Sequence, residues 1–298
     1  MCSSDLMDLQ EARAALLAVR ENGGSDLPVM VTMTFESGGR TLTGGLPEAA
    51  LAALQALGAD AFGCNCSTGP GDMAAIIARI KPYAKIPLIA KPNAGLPLLR
   101  DGKTVFTMDA AHFAAHAGAL RDAGVNLLGG CCGTTPEHIR LAAAAVHPLP
   151  PPECRAAISG VVASSRQIRV LAPETPFTVI GERINPTGKK ALQAELRAGS
   201  TELALTYALE QTAAGAGMLD VNMGLSGIDE SAMMQATLTA LGPGVELPLC
   251  IDSTNPETVA AALRLYPGRA LLNSISLERE RIEKVLPIAA KYGAMLIL

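Results

Sequence analysis

Three cysteines stand at the ends of strand-like segments, where their thiolates could share one metal ion. Cys66 ends the segment GCNC, and Cys131 and Cys132 are adjacent in GGCCGTTPEHI. Neighbouring side chains in a strand point to opposite faces, so the adjacent pair can reach one ion only where the backbone bends, which the surrounding glycines permit. A catalytic zinc takes three protein ligands and keeps a fourth position open, and thiolates favour Zn²⁺ over Mg²⁺ or Ca²⁺. The residues therefore predict an all-sulfur zinc site that is open to a substrate.

Other interpretations of these residues stay open. Cys64, two residues before the first of the three thiols, is interpreted as a core residue, although its strand face would also allow it to neighbour the metal. A disulfide within the adjacent pair is conceivable, but the odd count of 7 cysteines and the lack of a secretory segment favour a reducing, cytoplasmic location. His112 and His116 lack the glutamate of the HExxH zinc motif, so we interpret them as structural.

The composition predicts a globular chain and narrows its partners. At 298 residues, 49% hydrophobic and 17% charged, the chain can bury one large core or two smaller ones. No apolar run reaches the roughly 20 residues that a membrane span requires. A net charge of −4 and 3% aromatic residues argue against nucleic-acid binding, which uses a cationic surface and stacking rings. We expect small molecules or other proteins as partners, with no nucleic acid and no membrane.

Strand-like and helix-like stretches alternate along the chain, which is typical of a parallel α/β fold. In the first half the strand candidates are PVMVTMTF, ADAFGCN, PLIAKPN and VNLLGGC, and in the second half they are FTVIGERIN, MLDVNMG, LPLCIDS, ALLNSIS and AMLIL. The proline-dense run HPLPPPEC separates the halves, and the following ISGVVASSRQIRVL is predicted to form a short β excursion.

Each half offers too few strands for a closed barrel of eight. We therefore predict two incomplete (β/α)8 TIM-barrel-type domains in tandem: the back half of the first barrel in 1–149, a linker in 150–172 and the front half of the second barrel in 173–298. The chain opens on a helical segment and stops inside an apolar strand, which suggests an internal fragment. Open sheet edges predict poor solubility or self-association.

Polar side chains collect at the strand ends of the second half. They are Glu182, Asn185, Asp220, Asn222, Asp252, Ser253, Asn273 and Ser274. Active sites of α/β barrels lie at this edge, and several buried carboxylates and amides around one mouth indicate a hydrogen-bonding ligand. A heterocycle with paired N–H donors suits Asp and Asn side chains. Asn255 has a competing interpretation as the N-cap of the next helix.

These motifs resemble a known family of two joined modules. GCNCSTGP, KPNAGLP and GGCCGTTPEHI resemble the zinc-bearing homocysteine module of cobalamin-dependent methionine synthases. GERINPTGKK, LDVNMG, IDSTNPETVAAAL and LLNSIS resemble the methyltetrahydrofolate-binding module that follows it. The resemblance covers nearly the whole chain in the family's order, and it implies a methyltransferase that makes methionine from homocysteine.

In the first module, the resemblance implies zinc ligation by Cys66, Cys131 and Cys132, with Asn93 at a position that can approach the zinc when substrate is absent. The homocysteine sulfur would fill the open position as a thiolate and would attack a methyl group carried on cobalamin. No protein side chain is assigned as a catalytic residue.

In the second module, the resemblance implies that Asp252 and Asn273 contact the pterin, with Asp220, Asn185 and Glu182 in the same site. That module would hold methyltetrahydrofolate while reduced cobalamin takes its methyl group.

The chain also departs from the family pattern. The front half of the homocysteine module and the later strands of the folate module, with a further pterin carboxylate, are missing, so we expect this chain to be inactive alone. No DxHxxG motif for the cobalamin-ligating histidine is present. Cobalamin is therefore expected on another domain or on a separate protein.

Two rival functions remain. A zinc-dependent homocysteine S-methyltransferase with another methyl donor would share the cysteine motifs but would give no reason for IDSTNPET and LLNSIS. A zinc-stabilised binding protein without enzymatic activity would need a fourth protein ligand on the metal, and Asn93 is a poor permanent one.

Overall fold

A computed structural model describes residues 6–24, 26–67 and 69–298, and the chain divides into two compact units. The first unit ends at Ile158 and the second begins at Ser159. This boundary falls inside the stretch 150–172 that the sequence predicts as a linker.

The first unit is built on a four-stranded parallel sheet in the order β1-β2-β3-β6. Its elements are α1 (Leu9–Gly23), β1 (Met30–Met33), α2 (Pro47–Ala56), β2 (Ala61–Asn65), α3 (Pro70–Ile80), a 3₁₀ turn (Lys81–Tyr83), β3 (Leu88–Lys91), β4 (Pro97–Arg100), β5 (Lys103–Phe106), α4 (Ala110–Ala115), α5 (Ala117–Ala123), β6 (Val125–Leu128) and α6 (Pro136–Val146). The four parallel strands are the four that the sequence predicts. The antiparallel hairpin β4–β5 is not predicted, because its exposed residues show no alternation of apolar and polar positions.

Strand β2 lies in the middle of the first unit's core. All five of its residues are buried, as expected for a central strand covered on both faces. Gly63 permits the close pairing of β2 with β3, since a Cβ atom at this position would lie 1.9 Å from the carbonyl oxygen of Ile89. The pairing with β3 continues to Asn65, so the chain leaves the sheet just before Cys66.

The second unit is built on a five-stranded parallel sheet whose order, β9-β10-β11-β12-β13, follows the chain. Its elements are β7 (Val161–Ala163), β8 (Ile168–Val170), β9 (Ile180–Ile184), α7 (Lys190–Arg197), α8 (Glu202–Ala213), β10 (Met218–Asn222), α9 (Glu230–Leu241), β11 (Leu249–Asp252), α10 (Pro256–Leu265), β12 (Leu271–Asn273), α11 (Arg279–Tyr292) and β13 (Met295–Leu296). All five strands of the sheet correspond to the predicted strands.

The predicted β excursion is the antiparallel hairpin β7–β8, and it is an integral part of the second unit. Val162 is fully buried in one apolar cluster with Met218, Cys250 and Leu271 of the sheet. The hairpin is also hydrogen-bonded to that unit, since Arg269 Nη1 donates to the carbonyl oxygen of Val161 over 2.8 Å. The later part of the stretch 150–172 is therefore core structure of the second unit.

The sheets define two tandem domains of TIM-barrel type, and within the described residues neither sheet has the eight strands of a closed barrel. Edge strands β1 and β6 of the first sheet carry exposed apolar side chains, with Met30 63% and Leu127 40% exposed. Among the described helices, none is long and apolar enough to cross a membrane.

Candidate functional site

Loops at one edge of the first sheet bring the predicted thiols together. Cys66 follows β2, while Cys131 and Cys132 follow β6. Strand β3 lies between β2 and β6, so all the loops after these parallel strands meet at the same edge. The three sulfur atoms lie within 4.8 Å of one another, with Cys66 Sγ 2.6 Å from Cys131 Sγ and Cys131 Sγ 3.9 Å from Cys132 Sγ.

The backbone is turned at both sides of this thiol cluster. Cys66 and Ser67 adopt φ values of 56° and 54°, in the left-handed region that costs a non-glycine residue about 1–3 kcal/mol. The backbone N–H of Cys66 donates to the carbonyl oxygen of Lys91 over 3.1 Å, which ties this turn to β3. On the other side the chain turns at Gly133, whose φ is 80° and whose missing Cβ would lie 2.4 Å from Phe106. The bend that the adjacent cysteines require is therefore present.

Asn93, in the loop after β3, supports the backbone of the adjacent cysteines. Its side chain is 5% exposed, and its Oδ1 accepts a hydrogen bond of 3.1 Å from the backbone N–H of Cys132. The neighbouring residues continue this contact: Cys131 N–H donates to Pro92 and Ala94 N–H donates to Cys132, each over 2.9 Å. Asn93 thus lies beside the thiols, with its side-chain oxygen Oδ1 directed to the backbone N–H of Cys132.

The donor set fits a zinc ion. A tetrahedral zinc with bonds of roughly 2.3 Å keeps its sulfurs roughly 3.8 Å apart, close to the Cys131–Cys132 distance, whereas the Cys66–Cys131 pair would have to open. Burial and the neighbouring Cys131 thiol raise the pKa of Cys66, so a cation is needed to hold its thiolate near neutral pH. Cys132 is exposed, which leaves one side of the cluster open. Cys64, in contrast, is buried in the core, where burial raises its pKa to about 12.

A second polar cluster lies on one face of the second sheet. The strand register places Asp252 between Asn222 and Asn273 on its two neighbouring strands, and Asp220 lies two residues before Asn222 on the same face. Asn222 Nδ2 donates to Asp252 Oδ2 over 2.8 Å, and Asn273 Nδ2 donates to Asp220 Oδ1 over 3.2 Å. Asp252 is thus held by an amide from the adjacent strand β10, and Asp220 by an amide from β12, which lies on the far side of β11.

Asp220 is the most buried member of this cluster, at 2% exposed. Among the described residues no N–H or O–H group donates to its Oδ2, although the carboxyl is hydrogen-bonded to the Cys250 thiol. Burial raises its pKa to about 6, the charge of Asp252 adds to this, and the hydrogen bond from Asn273 opposes it. The Asp220 carboxyl is therefore partly protonated near neutral pH and can donate as well as accept a hydrogen bond.

The structure separates the predicted pterin residues into two groups. Asp220, Asp252 and Asn273 come together, whereas Asn185 Oδ1 accepts from the backbone N–H of Thr187 over 2.9 Å within its own loop. Glu182 is exposed, although its charge contributes to the raised pKa of Asp220.

Two further asparagines, Asn255 and Asn222, lie at this edge of the sheet. Asn255 caps α10, with its Oδ1 accepting from Glu257 N–H over 2.9 Å, so the capping interpretation is confirmed. Asn222, the direct partner of Asp252, belongs to the predicted polar cluster at the strand ends but not to the residues predicted to contact the pterin. Its position two residues after Asp220 on the same strand face was the available signal.

A cavity of about 500 Å³ adjoins Asp252 and Asn273. Its wall includes Arg281 of α11, whose guanidinium donates to the carbonyl oxygens of Thr254 and, over 3.0 Å, of Ser274. Arg281 therefore ties together the loops after β11 and β12, and a ligand in this cavity would meet the Asp252 carboxylate and the Asn273 amide.

Comparison with known proteins assigns a class to each unit. Residues 5–146 match the family model of homocysteine S-methyltransferase, and residues 181–298 match that of pterin binding enzymes. A solved structure, the apo form of the homocysteine methyltransferase MmuM from Escherichia coli, aligns with 47% of this chain and 46% of its own at 22% identity. Its TM-score of 0.38 is too low to support the fold. The chain thus carries a segment that matches the homocysteine S-methyltransferase family, followed by a segment that matches the pterin binding enzymes.

Two curated methionine synthases align with this chain across both of its units. Those of Mycobacterium tuberculosis and Mycobacterium leprae are 35% and 34% identical to this chain over 97% of its length. The chain belongs to the methionine synthase family, and it spans 25% of the length of each of these two relatives.

Proposed function

We propose that this chain takes part in the methylation of homocysteine to methionine, with methyltetrahydrofolate as the methyl source. The observation that carries the proposal is the convergence of Cys66, Cys131 and Cys132 at one sheet edge, with their sulfurs within 4.8 Å of one another. A set of three thiol ligands with one open side suits a catalytic zinc better than a closed structural one.

In this proposal the three cysteines hold zinc, and the exposed side at Cys132 admits homocysteine. Zinc supplies one effect when it is bound: it lowers the pKa of a coordinated thiol, so that the homocysteine sulfur is held as the nucleophilic thiolate. Asn93 keeps the backbone of Cys132 in place through its 3.1 Å hydrogen bond. Free thiols persist in a reducing compartment, which supports a cytoplasmic location.

The second unit is proposed to bind the pterin ring of methyltetrahydrofolate at Asp220, Asp252 and Asn273. Asp252 and Asn273 offer an acceptor and an amide on adjacent strands, which suits a heterocycle with paired N–H donors. Glu182 and Asn185 are retained as outer members of this site. Cobalamin is the proposed methyl carrier between the two substrates, held by another domain or by a separate protein.

The homocysteine part is tested by zinc X-ray absorption spectroscopy on the zinc-loaded chain. We expect three sulfur ligands without substrate and four after addition of homocysteine. Homoserine, which has a hydroxyl group in place of the thiol, is the matched control and should leave three. A sulfur count that homocysteine does not change would contradict the proposed substrate.

The folate part is tested by equilibrium binding of methyltetrahydrofolate to the chain and to Asp252→Asn. Loss of the charged acceptor should weaken binding about 10–100-fold, because hydrogen bonds to ionised groups contribute about 1.5–3 kcal/mol. Glu257→Gln makes the same chemical change at an exposed position of α10 and should bind like the unaltered chain. Equal affinities for all three proteins, or no binding by any of them, would count against the pterin site.

A further inference from the structure

We propose that His138 is a positioning residue for the cysteine loop: it holds Cys131 and Cys132 in their zinc-binding arrangement without ligating the metal. The inference rests on the proposed function, since it concerns the same zinc site. His138 lies in the first turn of α6, six residues after Cys132, and is 7% exposed.

The hydrogen bonds of His138 fix its tautomer. Its Nε2 lies 3.0 Å from the carbonyl oxygen of Met108, which can only accept, so Nε2 carries the proton. Its Nδ1 is then an acceptor, 2.8 Å from Thr135 Oγ1 and 3.2 Å from Thr135 N. The ring also packs edge-on against Phe113 of α4, with the ring centroids 5.5 Å apart.

These contacts close a circuit of hydrogen bonds around the cysteine loop. Ala94 N–H donates to the carbonyl oxygen of Cys132 over 2.9 Å, and Met108 N–H donates to that of Ala94 over 3.1 Å. Met108 in turn accepts from His138, and His138 accepts from Thr135, three residues after Cys132. His138 thus connects the loop that follows β6 to the chain segment that follows β3.

The position is that of a capping box, in which the third helical residue returns a hydrogen bond to the N-cap. Glutamate is usual at this position and would satisfy Thr135, but an ionised carboxylate cannot donate to Met108. Histidine supplies an acceptor and a donor on one rigid ring. Its Nδ1 caps the helix by accepting from Thr135, and its Nε2 donates to Met108 and so closes the circuit. A capping role requires only the acceptor, whereas the positioning role also requires the donor to Met108.

The test compares His138→Glu, which keeps only the acceptor, with His138→Gln, whose amide keeps an acceptor and a donor. The exposed His112→Gln is the control for loss of an imidazole. Each zinc-loaded protein is mixed with a chelator and the rate of zinc transfer is measured. The absorption bands of the cobalt-substituted proteins report the thiolate geometry, and circular dichroism of the metal-free proteins reports the fold.

We expect His138→Glu to lose zinc at least about tenfold faster and to shift the cobalt bands, since residues that orient metal ligands typically change affinity about 10–100-fold. His138→Gln and His112→Gln should stay within about threefold of the unaltered chain. Unchanged release and spectra in His138→Glu would overturn the positioning role, and so would equal losses in His138→Glu and His138→Gln. Absence of zinc from the unaltered chain would overturn the proposed zinc site and this role with it.

Discussion

Replacing Cys131 and Cys132 together by alanine is expected to remove zinc from the protein completely. The unaltered chain should carry close to one zinc per molecule when it is purified under reducing conditions. The double variant keeps only Cys66 of the three thiols. One thiolate does not hold a zinc ion that needs three protein ligands, so the metal content, measured by mass spectrometry after gel filtration, should fall to background.

Cys154→Ala is the matched control for this experiment, because Cys154 is a free, exposed cysteine outside the thiol cluster. It should retain the zinc content of the unaltered chain. Zinc that survives in the double variant would contradict the assigned ligands. Zinc that is missing from a folded, unaltered chain would contradict the metal site itself.

Replacing Asp220 by asparagine is expected to stabilise the second unit near neutral pH. The Asp220 carboxyl ionises near 3.8 in an unfolded chain and near 6 in the folded one, where burial is the main cause. The folded state therefore holds the proton more tightly, and the free energy of unfolding of the natural protein falls as the pH rises from about 4 to about 6. Above that range the folded state bears the whole cost of the buried charge, about 2–3 kcal/mol for a pKa raised by about two.

Asparagine removes that charge while its Oδ1 can still accept from Asn273. Urea unfolding should give Asp220→Asn about 2 kcal/mol more stability than the unaltered chain at about pH 7.5, and the difference should vanish below about pH 4. Glu257→Gln, at an exposed site of the same unit, should show no such pH-dependent gain. A variant that is less stable than the natural chain at every pH would show that the hydrogen bonds of Asp220 outweigh its desolvation.

The parallel strands could be predicted from the sequence because each is a short apolar run bounded by glycine, proline or a polar residue. Strands β2 and β11 are largely buried, so their composition reflects their position in the core. The hairpin β4–β5 could not be predicted in this way. Leu98 and Leu99 are both exposed, so its apolar residues do not mark a buried face.

Those parts of the candidate sites could be predicted in which the residue type alone indicates the chemistry. Three cysteines at strand ends predict a thiol cluster, because the ends of parallel strands in one sheet lie at the same edge. Their meeting then requires only that β2 and β6 lie close together in the sheet, where β3 alone separates them. The contacts of His138 and Asn222 depend on tertiary geometry. The ring of His138 reaches Met108, thirty residues away, and Asn222 meets Asp252 only through the strand register. Sequence spacing does not encode those distances.

The burial of Val162 beneath the second sheet has a practical consequence for dissecting the protein by genetic engineering. A truncated gene starting at residue 173, the boundary that the sequence suggests, would discard the hairpin and leave Met218, Cys250 and Leu271 facing water. The amide hydrogens of Ala157 and Ile158 both bond to Pro82, so they belong with the first unit. A cut at Ser159 keeps both hydrophobic interiors whole, and separately expressed halves should be divided there.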